Sequence, residues 1–447
     1  MATRPGTQFF APQARLVDAD KNEVIGSAAG GGRTPNDADV DLVSARVTLS
    51  LNNVCQLQVV LNNQRHAHGL PVFPPWKYNK LSQIVFGQRL RLDIRYGGDV
   101  WNKLILARIT DLQFSFPQSG ASQLIVVGED MLSLLKTTSK QEKPYSNRKE
   151  DFIVRDVLER SKAKDVGLDF TGTTPGADPL AGPLVAWPTL QPLRSITQNK
   201  NTSYLQFLQG IADRMDFELF VDFTKLTQDP KAALTSSDNK VMLHFEPARS
   251  LVSPTRAIAL TWGANLVEFT PKLKVWELLT EVTIGGTKHG TRARQTQVIS
   301  SADADITNDL QRDSSYTVPG ANGKPQPVPL LPAGAARAKF LSREGSDLAN
   351  SDSVDTSNLD SDRIRLSGIA RLRKSMRELV TAEGSTIGMP ELRPGVYVDI
   401  GGLYPPFDGL YYVTQTVHTF DSGGYRTQFS LRRPGILDPG SYPGDDT

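Results

Sequence analysis

Cysteine is almost missing from this chain of 447 residues: Cys55 stands alone. One thiol excludes an intrachain disulfide and any zinc site built on clustered cysteines, and the usage fits assembly in a reducing compartment. Charge of one sign is lacking as well, since 50 Lys and Arg face 48 Asp and Glu for a formal net charge of +2. No global field is therefore available to capture nucleic acid or anionic lipid. Long hydrophobic runs are absent too, and stretches such as LIVVG from Leu124 fall far short of the ~18 residues that span a bilayer. No N-terminal run resembles a signal peptide, so the chain is expected to be soluble when made and to leave a cell only as cargo or within an assembly.

Chemical motifs are equally scarce. No P-loop, metalloprotease helix, CxxC pair or Gly-x-Ser-x-Gly elbow occurs, and GGTKHG at Gly285 to Gly290 lacks dinucleotide spacing and reads as a turn. His66 and His68 share one side of a strand but find no third ligand, so no metal and no cofactor is expected. His418, in VTQTVHTF, is accounted for by a cross-strand hydrogen bond. Asp303, Asp305 and Asp309, then Asp347, Asp352, Asp355 and Asp360, lie in polar sequence. A glycosidase needs two carboxyl groups held across a cleft, so these read as solvated loops or a subunit-facing acidic surface. The basic residues Arg371, Arg373, Lys374 and Arg377 have no aromatics between them. They are expected to make salt bridges to a subunit or to form a wet helical face, not to contact nucleic acid.

What is present is β-pattern. ARVTLSLNNVCQLQVVLNN, from Ala45, holds two β-rich runs broken at Asn52-Asn53. RLRLDIRY alternates Leu90, Leu92 and Ile94 with Arg91, Asp93 and Arg95, which predicts one buried and one wet face. Leu104–Thr110, Leu112–Phe116 and Leu124–Gly128 continue the series as a small barrel or sandwich. The period then changes to helical: Ile153, Val154, Val157 and Leu158 form a stripe on a helix beginning near Glu150. A second helix is predicted over Ser203 to Met215, with Ser203 and Gln206 as a capping box. FELFVDF and VMLHFEP form a hairpin after it. Strands return across the Gly263-Ala264-Asn265 turn and at LLTEVTIGG. Residues 301–360 read as a polar insertion with an extended PVPLLP, and a helix is predicted over 361–380. The fold class is mainly β with α/β insertions.

Three blocks carry a resemblance: NTSYLQFLQGIADRMDFELFVDF at Asn201 to Phe223, LVEFTPKLKVWELLTEVTIGG at Leu266 to Gly286, and IGMPELRPGVYVDI with FDGLYYVTQTVHTFDSGGYRTQFSLRR at Ile387 to Arg433. They resemble the phage late control protein D family, the hubs of contractile tails, similar to the hub portion of VgrG spikes. In the last block the turn glycines Gly395, Gly409 and Gly424 fit the family pattern. The resemblance implies two small β-barrel domains per chain, forming a pseudo-sixfold trimeric ring that adapts a hexameric inner tube to a trimeric spike. It places the first barrel at 40–130, an α/β module at 131–254, and a second barrel at 255–435 carrying the 301–360 insertion. A flexible or partner-ordered arm over 1–39 and a tail over 436–447 flank them.

The same resemblance implies a homotrimer that meets an inner tube protein or tube initiator, a separate spike protein and other baseplate components. Assembly in the cytoplasm and a place in a phage tail or extracellular injection particle follow from it. Phe220, Tyr411, Tyr425 and Arg426 are the candidate interface residues. The implied role is structural and non-enzymatic. The alternative is a tail-associated peptidoglycan or glycan hydrolase using carboxylates such as Asp303 and Asp305, and a third reading is a glycan-binding β-module without catalysis.

Overall fold

The computed structural model describes residues 12–21, 23–29, 41–67, 70–96, 100–170, 193–222, 241–248, 257–287, 294–301, 315–319, 325–341, 351–356, 361–403 and 406–438. Its strands follow from alternation. In Leu42–Ser50 the side chains of Leu42, Ala45, Val47 and Leu49 are buried while Val43 and Arg46 face out. The chain reverses at Asn52, in the left-handed region at φ 57, and returns as Gln56–Asn62 with Leu57, Val59 and Leu61 buried. Asn52 also accepts the Leu219 N–H on its side-chain oxygen at 2.7 Å, fastening this turn to the α/β region.

A unit of four strands occurs twice. In spatial order the first is Leu42–Ser50, Gln56–Asn62, Gln123–Glu129 and Asn102–Ser115, and the second is Leu266–Leu273, Val380–Ile387, Gly424–Arg433 and Gly409–Asp421. The opening strand of each is bulged near its start, between Leu42 and Ser44 or Leu266 and Glu268. The closing strand of each is long and bulged midway, between Ile109 and Asp111 or Val413 and Gln415. Before its bulge each closing strand also pairs with the strand that precedes it, Arg89–Tyr96 or Tyr397–Gly401.

The two units join in one 13-stranded sheet because Gln415–Phe420 pairs antiparallel with Ala45–Ser50. Separate barrels were expected. Instead the described strands form one open path that starts at Leu266–Leu273 and ends at Glu23–Ala29. Each half keeps its own core, one drawn from residues 14–245 and the other from 260–436. Phe420 and Tyr425 are the exception. They sit at the tip of the last hairpin, where Gly424 takes φ +111, and they belong to the first core.

Between the units lies the α/β region. The Glu150–Arg160 helix buries Ile153, Val154, Val157 and Leu158. The Tyr204–Met215 helix is capped as its sequence predicts: Ser203 Oγ accepts the Gln206 N–H at 3.1 Å and Gln206 Oε1 accepts the Ser203 N–H at 3.3 Å. Phe217–Asp222 and Val241–Pro247 pair antiparallel.

Several expectations need correction. Asp93, assigned to a wet face, is fully buried because it accepts from Arg15 Nε at 2.9 Å and Arg91 Nε at 2.7 Å. The N-terminal arm contributes two strands, Pro12–Asp18 and Glu23–Ala29, the first paired with Arg89–Tyr96. The 301–360 insertion holds a hairpin of Ser315–Pro319 with Pro325–Pro332, an Ala333–Leu341 helix and a Ser351–Thr356 strand parallel to Glu281–Thr287. Its apolar PVPLLP is extended as expected, and Leu330–Pro332 pairs with Gly435–Leu437. The tail therefore begins as a strand, with Ile436 and Leu437 fully buried. The last helix ends at Arg377, and Val380 opens the next strand.

Because Phe420 carries the second half into the first core, Phe420→Ala should lower unfolding free energy by about 3–5 kcal/mol. Urea denaturation followed by far-UV circular dichroism measures it, and a loss below about 1 kcal/mol would mean that the hairpin tip is not part of that core.

Candidate functional site

One face of the joined sheet is polar across both units, with Val417 as an apolar exception in its second row. Thr270, Glu383, Ser430, Gln415 and Ser50 stand opposite one another along five successive strands. A second row runs Ser385, Gln428, Val417, Thr48, Gln56, Glu129 and Arg108. All of these residues are half-buried or exposed, whereas the alternate positions, among them Leu431, Val413, Leu49 and Leu57, are buried.

Two clefts open on this face. The larger, about 590 Å³, is bounded by Ser50, Asn52, Lys272, Lys374, Glu378 and Arg432. The smaller, about 360 Å³, lies beside it along Glu268, Glu383, Gln415 and Gln428. Among the described residues no group of histidine, cysteine and carboxylate side chains is arranged to hold a metal ion. Glu268 and Glu383 are exposed on neighbouring strands, not set across a closed cleft as a glycosidase pair would be.

Beside the larger cleft, ion pairs join the two halves. Arg377 meets Asp216 with both nitrogens, Nη1 to Oδ2 at 2.7 Å, and both side chains are about 5% exposed. Arg363 pairs with Glu150, and Arg432 pairs with Glu218, whose other oxygen accepts from Tyr412 Oη at 2.5 Å. Lys374 reaches Asp213 at 3.1 Å on the surface, and Arg371 pairs with Asp352. The basic helix was expected to meet a subunit or water. Its cations meet carboxylates of the same chain, because the helix packs on the Tyr204–Met215 helix and the Glu281–Thr287 strand.

His418 marks where the hairpin enters the first half. It is 1% exposed, and its Nδ1 lies 2.8 Å from Tyr425 Oη and 3.2 Å from Thr427 Oγ1. The cross-strand bond expected from sequence is present. Burial pushes the imidazole down to about 4, against a smaller opposing contribution from the Leu392 backbone.

Gly395, Gly409 and Gly424 take φ of +90, +118 and +111, conformations that disfavour a side chain. A Cβ on Gly409 would also lie 3.3 Å from the Arg433 guanidinium. Of the interface candidates, Phe220 is half-buried and stacks on His244 at 4.6 Å, and Arg426 is exposed. Tyr411 and Tyr425 require correction. Tyr411 is fully buried and donates to the Phe407 carbonyl at 2.7 Å, and Tyr425 is buried beside His418, so neither offers a surface to another chain. His66 has a described backbone only, while His68, Asp303, Asp305, Asp309, Asp347 and Asp360 lie outside the described residues.

Sequence reasoning missed Glu150, Asp216 and Glu218. The available signal was an acidic residue inside an apolar run, as in MDFELFVDF.

No family model and no curated protein matches the sequence. Solved structures match its fold. The tail protein from Neisseria meningitidis MC58 superimposes with a TM-score of 0.56 at 10% identity, covering 97% of this chain and 100% of that one. The 43 kDa tail protein of prophage MuSo2 from Shewanella oneidensis gives 0.51 at 12% identity, over 94% and 98%. A chain of the lidded Francisella PdpA–VgrG complex gives 0.50 at 9% identity, and this chain spans 54% of its length. The resemblance drawn from the sequence is thus met at the level of fold: the chain is built like phage tail proteins.

Two measurements test this geometry. Arg377→Met leaves Asp216 buried without its partner and should cost about 3–5 kcal/mol in denaturant unfolding; Asp216→Asn in the same chain removes the buried charge, tolerates the left-handed backbone at φ 56 and should recover part of the loss, and no recovery would mean the cost lies elsewhere. For His418, the unfolded chain binds a proton below about pH 6.5 that the folded chain refuses until about pH 4. Its stabilising contribution is complete above pH 6.5 and falls by roughly 3 kcal/mol as pH drops to about 4. Asp130, fully buried and pushed up to about 7 chiefly by burial, acts with the opposite sign over much of this range. The comparison is therefore between the protein and His418→Asn, whose stability should fall less steeply between pH 6.5 and 4; parallel curves would rule the histidine out.

Proposed function

We propose that this chain is the structural baseplate hub of a contractile tail or injection system, joining a hexameric inner tube to a trimeric spike. The observation that carries the reading is the four-strand unit present twice in one sheet with a single polar face. Three copies, each bearing the unit twice, offer an approximately sixfold ring to a tube and keep a threefold axis for a spike. Likeness to tail proteins over nearly the whole chain supports the same assignment.

In this reading the polar face lines a lumen. Short side chains such as Ser430, Thr270 and Ser50, mixed with charges of both signs, let a cargo pass without an apolar surface to grip it. The opposite face of each unit holds the cores and the α/β region, which stiffen the wall. The role is mechanical, with inner tube protein, spike and other baseplate components as partners. The finished particle is a tail or an injection device assembled in the cytoplasm. No observation favours the hydrolase alternative, and release of reducing ends from peptidoglycan, lost on replacing Asp303 or Asp305, would revive it.

Light scattering of the purified chain at micromolar concentration, alone and with its tube and spike proteins, tests the proposal. A trimer is expected. A chain that stays monomeric with both partners present would overturn it.

A further inference from the structure

The repeated unit is used unequally. At the junction inside the chain, the closing strand of the second unit continues past its bulge, and residues Gln415–Phe420 pair with the opening strand of the first unit. The equivalent closing strand, Asn102–Ser115, also continues past its bulge. There it pairs only with Gln123–Glu129, and among the described strands none lies along the other side of Asp111–Ser115. At the far end of the sheet, the opening strand Leu266–Leu273 pairs, among the described strands, with Val380–Ile387 alone, apart from an isolated bridge between Leu266 and Trp262. One chain thus carries both halves of a junction that it forms once internally.

We infer that Asp111–Phe116 of one copy pairs antiparallel with Phe269–Lys274 of a second copy, repeating the internal junction between chains. This rests on the hub reading and names the surface through which the copies meet. The two bulges in each unit align the strands and so fix the register. Asn102–Ser115 stands for Gly409–Asp421, with Asp111 in the place of Gln415; Leu266–Leu273 stands for Leu42–Ser50, with Glu268 in the place of Ser44. Gln415 faces Ser50 and Phe420 faces Ala45 inside the chain. Asp111 then faces Lys274, Leu112 faces Leu273, and Phe116 faces Phe269.

The side chains suit this register. An acid meets a base, and apolar residues meet apolar residues. Phe116, 51% exposed, takes the place of Phe420, which is 3% exposed because it enters the core across the internal junction. One side of the Phe116 ring packs on Trp76 at 5.0 Å and Phe114 at 6.3 Å, and the rest is left to solvent. Pro271 occupies the place of Val47 and has no N–H to give, so the junction between chains has one backbone bond fewer than the internal one. A proline on an open strand weakens edge pairing in any register, so the register is set by the bulges.

Gln113 and Lys272, both exposed, fall opposite each other in the places of Val417 and Thr48. Leu51 N–H donates to the Thr414 carbonyl, which makes Val417 and Thr48 a pair without mutual hydrogen bonds, the closer type, with Cα atoms roughly 4.5 Å apart and within disulfide reach. Cys55 is 4% exposed and contributes little background.

The test is Gln113→Cys with Lys272→Cys in the full chain, oxidised at micromolar concentration and examined by non-reducing electrophoresis and light scattering. Covalent trimers are expected, with neither single substitution giving them, while Val417→Cys with Thr48→Cys should close a disulfide within each chain. A trimer that forms but is never cross-linked overturns the strand pairing and leaves the hub reading standing. A chain that remains monomeric alone but forms uncross-linked trimers with tube and spike proteins does the same, and one monomeric in every mixture overturns both. Independently, Phe116→Glu should weaken self-association ~10-fold or more while far-UV circular dichroism shows the strands still formed; undiminished association would also overturn the pairing.

Discussion

The antiparallel pairing of Gln415–Phe420 with Ala45–Ser50 is the constraint on which the rest of the structure depends. Side chains alternate across a sheet with a period of two, so a slip of one residue here would put Leu49 and Val47 on the polar face and Thr48 in the core. The second half would then meet the first with the wrong face. The bulge between Val413 and Gln415 lets one strand serve two neighbours: before it the strand pairs with Tyr397–Gly401, and after it with the other unit. Phe420 and Tyr425 follow from that register, because they are carried past the junction into the first core.

The ion pairs hold what the backbone positions. Arg377 with Asp216, Arg363 with Glu150 and Arg432 with Glu218 are charges withdrawn from water, and such pairs often add little net stability over apolar replacements. Their geometry makes them selective instead. Each joins a cation from beyond residue 360 to a carboxylate of the α/β region, so any other seating of the last helix leaves a buried charge unpaired. Arg432 is shared between the ion pairs and the larger cleft on the polar face, which couples that surface to the α/β region beside it.

The elements most legible in the sequence are those whose signal is local. The capping box at Ser203 and Gln206, the alternation of Leu90, Leu92 and Ile94, and the reversal at Asn52 each depend on a few neighbouring residues. The meaning of Asp93 was not local. Its place in RLRLDIRY reads as a wet position, and Arg15, brought from a distant strand, joins neighbouring Arg91 in making burial tolerable. The 301–360 segment misleads for a similar reason, since its strands are stabilised by Gly435–Leu437 and Glu281–Thr287 and not by any strong periodicity of their own. Tyr411 and Tyr425 looked like surface anchors because aromatic strand residues serve cores and interfaces alike. The polar face was legible only in fragments, as the wet positions of single strands; its continuity is a property of seven registers at once.

A sheet with two different open ends cannot complete itself by a twofold contact. Joining one end to the other in a second copy is a head-to-tail interaction, which must close into a ring or grow without limit. Which outcome follows depends on the angle turned at each step, and bulges raise strand twist and bend where they occur. Here the bulges after Ile109 and after Val413 stand at matching places, each where a closing strand leaves its own unit. The bend at the internal junction is therefore a measure of the bend between copies. Pro271 removes the same donor from the outer edge in every register, so the choice between ring and filament rests on the bend and not on the proline. If copies join as proposed, the same local irregularity that lets one strand serve two units also sets how many of them close a ring.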